Sequence, residues 1–415
     1  MPARPARLFL SLTAGALGAA VLVTGTGVAS ATTPATDVGL FGVQDPTYDG
    51  VYRQGLALTG LVAAGKTPDA NAVNWLLAQQ CADGAFTAYR ADTTKPCTAA
   101  QEDENATAMA IQALAALGKP TATAIAALKH FQLADGGFYD NTAFGAPASD
   151  ANSTGLALSA FAATGVDPAT ITSGGKTGDD YLRSLQLPCA SATGGGAFDF
   201  QAEKTLAAND YATVQATFGQ LGKAFPLAPS ATAATTLTCS DPTDAASSAN
   251  AALAYLAGRL TSSNGAIPSS LGSGTDWTTT ASAMLDLVAA GQGSAAVQAG
   301  STALQANVKA YAQTGAGALG MLLLVAHATG VNPASYGGTD LAAALLATER
   351  TAAAPTPAPT ATPTPTTAPT ASGPTLPMTG AHGVVPLSSV GGALLVVGAA
   401  AVAFARRRRA SGEAS

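Results

Sequence analysis

The chain predicts an all-α fold, a closed ring of six pairs of alternating helices in two stacked layers. Three observations carry this. A unit of apolar helix, glycine, second helix and tight turn recurs along the sequence. Copies of the turn read Asp83–Gly84–Ala85–Phe86, Asp135–Gly136–Gly137–Phe138, Gly195–Gly196–Ala197–Phe198 and Asn264–Gly265–Ala266–Ile267. The composition, 11% charged and 6% aromatic, suits closely packed helices with small interfaces. Six pairs favour a ring because two stacked layers without free ends bury every apolar face.

The N-terminus reads as an export signal. Arg4 and Arg7 precede an apolar stretch from Leu8 to Val23, and Ala29–Ser30–Ala31 offers a small-residue cleavage site. Residues 1–31 are therefore expected to be a signal peptide read by the Sec translocon and cut after Ala31.

The ring is expected over 37–350. Its first class of helix opens on a polar cap and stops at glycine. These helices are Gly50 to Ala64, Asn105 to Leu117, Asn152 to Thr164, Asp210 to Leu221, Trp277 to Ala290 and Gly317 to Thr329. The stops are Gly65, Gly118, Gly165, Gly222, Gly291 and Gly330, which permit the positive φ a helix terminus needs. The second class follows each stop: Ala70 to Gln80, Thr121 to Leu133, Asp179 to Leu185, Thr243 to Leu260, Ala295 to Ala312 and Thr339 to Thr348.

Residues 351–375 are almost only Pro, Thr, Ala, Ser and Gly. Such a stretch cannot bury a core and favours an extended spacer of roughly 75 Å at about 3.1 Å per residue. Residues 376–415 hold Leu376–Pro377–Met378–Thr379–Gly380, an apolar segment from Val384 to Ala405 and then Arg406 to Arg409. The segment is about long enough to cross a bilayer, with the arginines holding its end in the cytoplasm. This tail resembles that of Gram-positive surface proteins anchored by sortase. The resemblance implies cleavage between Thr379 and Gly380, with the Thr379 carboxyl passed to an amine of the peptidoglycan cross-bridge.

The formal net charge is −6, but between Asp37 and Arg350 there are 13 basic and 24 acidic residues. A body of that sign repels phosphate backbones, so no nucleic-acid partner is expected.

Gln132–Leu133–Ala134–Asp135–Gly136–Gly137–Phe138 resembles the glutamine–Asp-Gly–aromatic repeat of the squalene cyclase and prenyltransferase superfamily. Gln79–Gln80–Cys81–Ala82–Asp83–Gly84–Ala85–Phe86 is a second copy. The resemblance covers about Asp37 to Arg350 and implies the (α/α)6 toroid, six inner helices inside six outer ones. The activities of the superfamily leave no trace. Its terpene cyclases need an Asp-any-Asp-Asp acid, whereas Asp179–Asp180 stands alone, and the only tryptophans are Trp75 and Trp277. Its prenyltransferases need Asp, Cys and His on zinc. No cysteine falls on a predicted inner helix, and His327, in Leu322–Leu323–Leu324–Val325–Ala326–His327, reads as a core residue. Its thioester domains need Cys-Gly-Glu-Gln, and no cysteine here precedes glycine. No cofactor or metal is expected.

The even count of four cysteines in an exported chain reads as disulfides. Cys81 and Cys97 flank one loop, leaving Cys189 and Cys239 to pair by elimination. By helix count these two lie at opposite ends of the ring, so the segment from Lys223 to Ser240 would have to carry Cys239 across.

Long loops fall on the face where inner helices begin, and loops concentrate binding residues. That face carries Tyr48, Asp49, Tyr52, Glu102, Asp103, Glu104, Asn105, Asp150, Asn152, Asp210, Tyr211, Asp276 and Trp277. Most of the acids are placed as helix N-caps. Glu102, Asp103 and Glu104 exceed what one cap requires, and their polar loop should leave them ionised. Tyr and Trp beside acid suit sugar or cationic ligands. The expectation is a wall-anchored ring that binds an extracellular small ligand, glycan or peptide without catalysis. The alternative is a surface enzyme, a polysaccharide lyase or hydrolase or a terpenoid-cyclase-like one, using rim carboxylates.

Overall fold

The computed structural model describes residues 37–352 apart from Phe144 and Leu271. The predicted signal peptide, nearly all of the Pro/Thr spacer and the whole sorting tail, including the span from Val384 to Ala405, lie outside the described residues. Among the described residues no helix is long and apolar enough to cross a membrane.

Helices come in pairs: α1 (Gly50–Ala63) with α2 (Ala70–Ala78), α3 (Glu104–Ala116) with α4 (Ala122–Leu128), and α5 (Ala151–Ala163) with α6 (Gly178–Ser184). Then come α7 (Asp210–Gln220) with α8 (Ala245–Ser262), α9 (Trp277–Ala290) with α10 (Ser294–Ala306), and α12 (Ala316–Thr329) with α13 (Leu341–Leu346), while the short α11 (Val308–Ala312) packs on α10 and α12. In the order α1, α3, α5, α7, α9, α12, each inner helix packs on the next, and α12 packs on α1, closing a ring. The partner of each pair lies against its inner helix on the outside. Among the described residues β pairing is limited to isolated bridges, so the fold is all-α.

Each predicted glycine stop adopts the left-handed conformation, with φ between 61° and 70°. The next residue's N–H then closes on the carbonyl five back, as Lys66 does on Leu61 and Val331 on Ala326. Four of the six outer helices are shorter than the sequence predicts, while α6 and α8 keep the predicted length shifted by one or two residues. The Thr121–Leu133 helix ends at Leu128, passes through a 3₁₀ turn at Lys129–Phe131, and Gln132 is already extended. That extension frees the Gln132 amide to reach the Gly136 carbonyl (2.9 Å) and the Ile171 carbonyl of the next repeat (3.2 Å). Gln186 does the same with Gly196 and Ser248, at 2.9 and 2.8 Å. The predicted Ala295–Ala312 helix divides at Asn307, which sits at φ −116° between α10 and α11.

Small residues set the inner spacing. A Cβ on Gly155 of α5 would lie 2.2 Å from the Gln215 carbonyl oxygen of α7, and one on Gly60 of α1 would lie 2.7 Å from that of Gly320 on α12. The two chain ends of the body complete the closure. Gly39 N–H donates to the Arg350 carbonyl and Arg350 N–H to that of Leu40, at 2.8 and 2.9 Å. Arg350 also pairs with buried Asp37 at 2.7 Å.

Both predicted disulfides form, Cys81–Cys97 and Cys189–Cys239, with Cα separations of 5.7 and 5.5 Å. The crossing demanded of the 223–240 segment is made. Phe225 N–H donates to Gln112 of α3 (3.0 Å), Ser230 to the Ala328 carbonyl of α12, and Ala233 to the carbonyl of Gly291 after α9. The strap thus runs across the C-terminal end of the inner ring before Cys239 fixes it.

Candidate functional site at the ring mouth

The caps at the N-terminal ends of the inner helices are built by one repeated device. Asp103, Asp150, Asn209 and Asp276 cap α3, α5, α7 and α9, each accepting the N–H three residues on. Four residues after each cap stands a threonine: Thr107, Thr154, Thr213 and Thr280. Its hydroxyl accepts the N–H of the aromatic or isoleucine in the preceding turn, Phe86, Phe138, Phe198 and Ile267, at 2.9–3.0 Å. Turn, cap and helix start are locked together, and this fixes the direction of the next few side chains.

Those directions sort the candidate residues. Asp103 is a half-buried cap facing Asp140, a residue the sequence reading passed over. All four of their carboxyl oxygens hold amide N–H groups, from Ala106, Asn105 and Asn141. Burial, then the charge of Asp140, pushes Asp103 well above the usual carboxylate range, and burial raises Asp140 too. Asp150 is buried and holds Ser153 through both N–H and hydroxyl, and burial raises it to about 7. Asp276 holds Thr279 in the same way, at 2.9 and 2.8 Å.

Glu104 behaves differently. It is the first residue of α3, wholly inaccessible to solvent, and neither carboxyl oxygen has a hydrogen-bond partner. Burial and the neighbouring Asp150, Asp140 and Asp103 push its pKa well up. The expected ionised polar loop is therefore corrected: the helix starts at Glu104, one residue before the predicted Asn105, which turns this side chain inward. Glu102 lies beside Cys81 and Asp83, and burial, then the charge of Asp83, raises its pKa.

Around Glu104 the ring brings together Tyr52 of α1, Asn152 of α5, Tyr211 and Gln215 of α7, and Tyr311 of α11. Tyr52 meets Gln215, with Tyr211, Glu104 and Tyr311 beside it. Asn152 lies beside Tyr211, whose pKa burial, then the charge of Asp276, raises to about 12. The Tyr311 hydroxyl lies 3.2 Å from that of Thr278 on α9. Because α1 and α7 stand opposite each other in the ring, this group spans the bore. Tyr52, Asn105, Tyr211 and Trp277 remain half-buried.

Other candidates go elsewhere. Asp210 is held by Arg259 of α8 through both oxygens and by the Tyr255 hydroxyl, which makes it a strut between α7 and α8. Those partners line an open groove of about 900 Å³ with Pro188, Thr193 and Leu206. Asp49 pairs with Arg53 at 3.0 Å, and Tyr48 is 61% exposed. Tyr311, Gln215 and Asp140 were missed because nothing local marks them; only ring closure brings them in.

Beneath the mouth the bore is filled. Phe225 of the strap enters and packs on Phe218, centroids 4.7 Å apart. The cavity left between Val214, Gln215, Ser282, Leu285 and Asp286 is about 10 Å³, room for a single water at most. The described acids and cysteines that approach closely enough to share a cation are Cys81, Asp83 and Glu102. Cys81 sulfur is in a disulfide, so it is no thiolate donor there.

No protein-family profile matches the chain, and no curated protein does. Among solved structures, a protein from Actinoplanes is 15% identical over 64% of this chain and 73% of its own, with a TM-score of 0.40. The type II terpene cyclase MstE from Scytonema is 16% identical over 64% of this chain and 73% of its own, TM-score 0.41. A single-residue variant of that enzyme reaches 0.45 over 71% of this chain and 91% of its own. Similarity of this degree carries no argument about chemistry. What the chain's own geometry defines is an all-α ring protein with an acidic, tyrosine-lined mouth and a plugged bore.

Proposed function

We propose that this chain is an exported protein, joined by sortase to the peptidoglycan cross-bridge, whose ring mouth captures an extracellular small ligand, glycan or peptide without turning it over. The observation that carries the binding half is Glu104, a buried carboxyl with two unpartnered oxygens among half-buried Tyr52 and Tyr211. A buried acceptor without a donor is costly unless something else supplies one. The filled bore argues against a polyprenyl substrate, since small-molecule sites enclose about 300–1,000 Å³. The rim-carboxylate enzyme would draw on Asp103 and Asp140, the pair that does come together. Their oxygens are all engaged by amides, which suits a structural role.

Export and anchoring rest on the residue order of the two ends: arginines, apolar stretch and Ala29–Ser30–Ala31 at one, Leu376 to Gly380, apolar span and Arg406 to Arg409 at the other. Wall-digesting enzymes should release the mature protein ending at Thr379, and detergent should not. Recovery wholly in detergent with the arginines attached would remove the anchor. Mass spectrometry of small molecules retained by the full chain should find a species lost on Tyr211→Ala. Turnover of a polyprenyl substrate would overturn the binding reading.

A further inference from the structure

We propose that the mouth takes an organic cation, a primary alkylammonium group, with Glu104 as its counter-ion; this rests on the binding reading above and names its ligand class. The unpartnered atoms decide the sign. Besides both oxygens of Glu104, the side-chain oxygens of Asn105 and Asn152, on the first turns of adjacent α3 and α5, are buried without a donor. Once Glu104 is ionised every one of these atoms is an acceptor, so a partner that holds the carboxylate in that form must donate or be positive. Asp103, Asp140 and Asp150 stand beside Glu104 and would repel an anion.

Size follows from spacing. A calcium ion holds oxygens at about 2.3–2.6 Å, which brings its ligand atoms within about 5 Å of one another. Among the described residues, the one such group of three acids or cysteines is Cys81, Asp83 and Glu102, and Glu104 belongs to none. Acceptors this dispersed fit a larger cation that carries its own donors. An ammonium offers three N–H groups, and the ring faces of Tyr52 and Tyr211 attract positive charge.

The test is calorimetric titration of the full-length chain at pH 8. The probes are 1,5-diaminopentane, Nα-acetyl-lysine methylamide, pentane-1,5-diol and calcium chloride. Saturable binding of an amine is expected, with neither the diol nor calcium binding at the same concentration; the two amines separate a free diamine from a lysine side chain. Glu104→Gln, which mimics the neutral acid in shape, should weaken the amine at least tenfold, and Glu104→Asp should restore it to within a few-fold. Should Glu104→Gln not fold, Tyr211→Phe and Glu104→Asp must still bind amine over diol. Equal binding of the diol, an affinity unchanged in Glu104→Gln, or calcium in place of the amine would overturn the proposal. If amines fail while a retained species is still lost on Tyr211→Ala, the cation falls and the binding reading stands. If nothing binds or is retained, both fall.

Discussion

Thr154 shows how much one hydroxyl can carry. It donates to the Asp150 carbonyl at 2.7 Å and accepts the Phe138 N–H at 2.9 Å, so a cap and a turn share one atom. Valine keeps the shape and removes both bonds, leaving the N–H of fully buried Phe138 without a partner. A buried orphan donor costs about 1–3 kcal/mol, so Thr154→Val should lower the melting temperature by several degrees, and Thr154→Ser should recover most of it. A melt unchanged by valine would show that the hydroxyl is incidental. The caps were legible because Asp, Asn, Ser and Thr before an apolar run have few other uses. The threonine four residues on was not, since its partner lies in the preceding turn. Nor was the fate of Glu104: in a run of three acids, only the register of the first helical turn decides which one faces water.

At the scale of the element, two kinds of glycine part company. Gly165 ends α5 with φ +70° and open space around its α-hydrogens, so alanine there costs left-handed strain alone, about 1–2 kcal/mol. Gly155, inside the same helix, has ordinary helical φ, but its added methyl would drive into the Gln215 carbonyl. Backbone cannot step aside as a side chain can, so Gly155→Ala should cost more, roughly 2–4 kcal/mol, and separate α5 from α7. Equal costs in chemical denaturation would contradict this. The sequence displayed the stops, which fall at regular intervals, and hid the packing glycine, which resembles any weak helix former. The strap is also an element, though a featureless one: its course was implied only by the need for Cys239 to reach Cys189. Cys239→Ser should free its end, and amide exchange at Phe225 should quicken well beyond that at Met109 in the ring wall. Equal protection of both amides would mean that Phe225 holds the strap unaided.

The whole molecule responds to pH through carboxyls that folding buries. Burial, first among the causes, raises Glu104, Asp150, Asp179 and Asp286, to about 7 for Asp150 and about 6 for Asp179. An acid of this kind keeps its proton in the folded state above the pH at which the unfolded chain, near 3.8 for Asp, has released it. Over that window the folded state binds more protons, so stability falls as pH rises, by about 1.4 kcal/mol per pH unit for each such group. The acids shifted down, Asp45, Asp92, Asp180 and Asp244, are ionised in both states above their usual pKa and are silent in the same window. Repulsion within a body holding 24 acids against 13 bases adds to the trend. The ring should therefore melt higher at pH 5 than at pH 8. Asp286 isolates the cause best, because it lies in the ring wall at 1% exposure, neither oxygen has a partner, and burial alone shifts it. Asp286→Asn cannot ionise and nearly matches the neutral acid in shape, so it should leave the pH 5 melt within a few degrees and raise the pH 8 melt towards it. A variant whose slope between pH 5 and 8 equals the wild type's would place the titration elsewhere, and a wild-type melt that rises with pH would reverse the sign of the whole account.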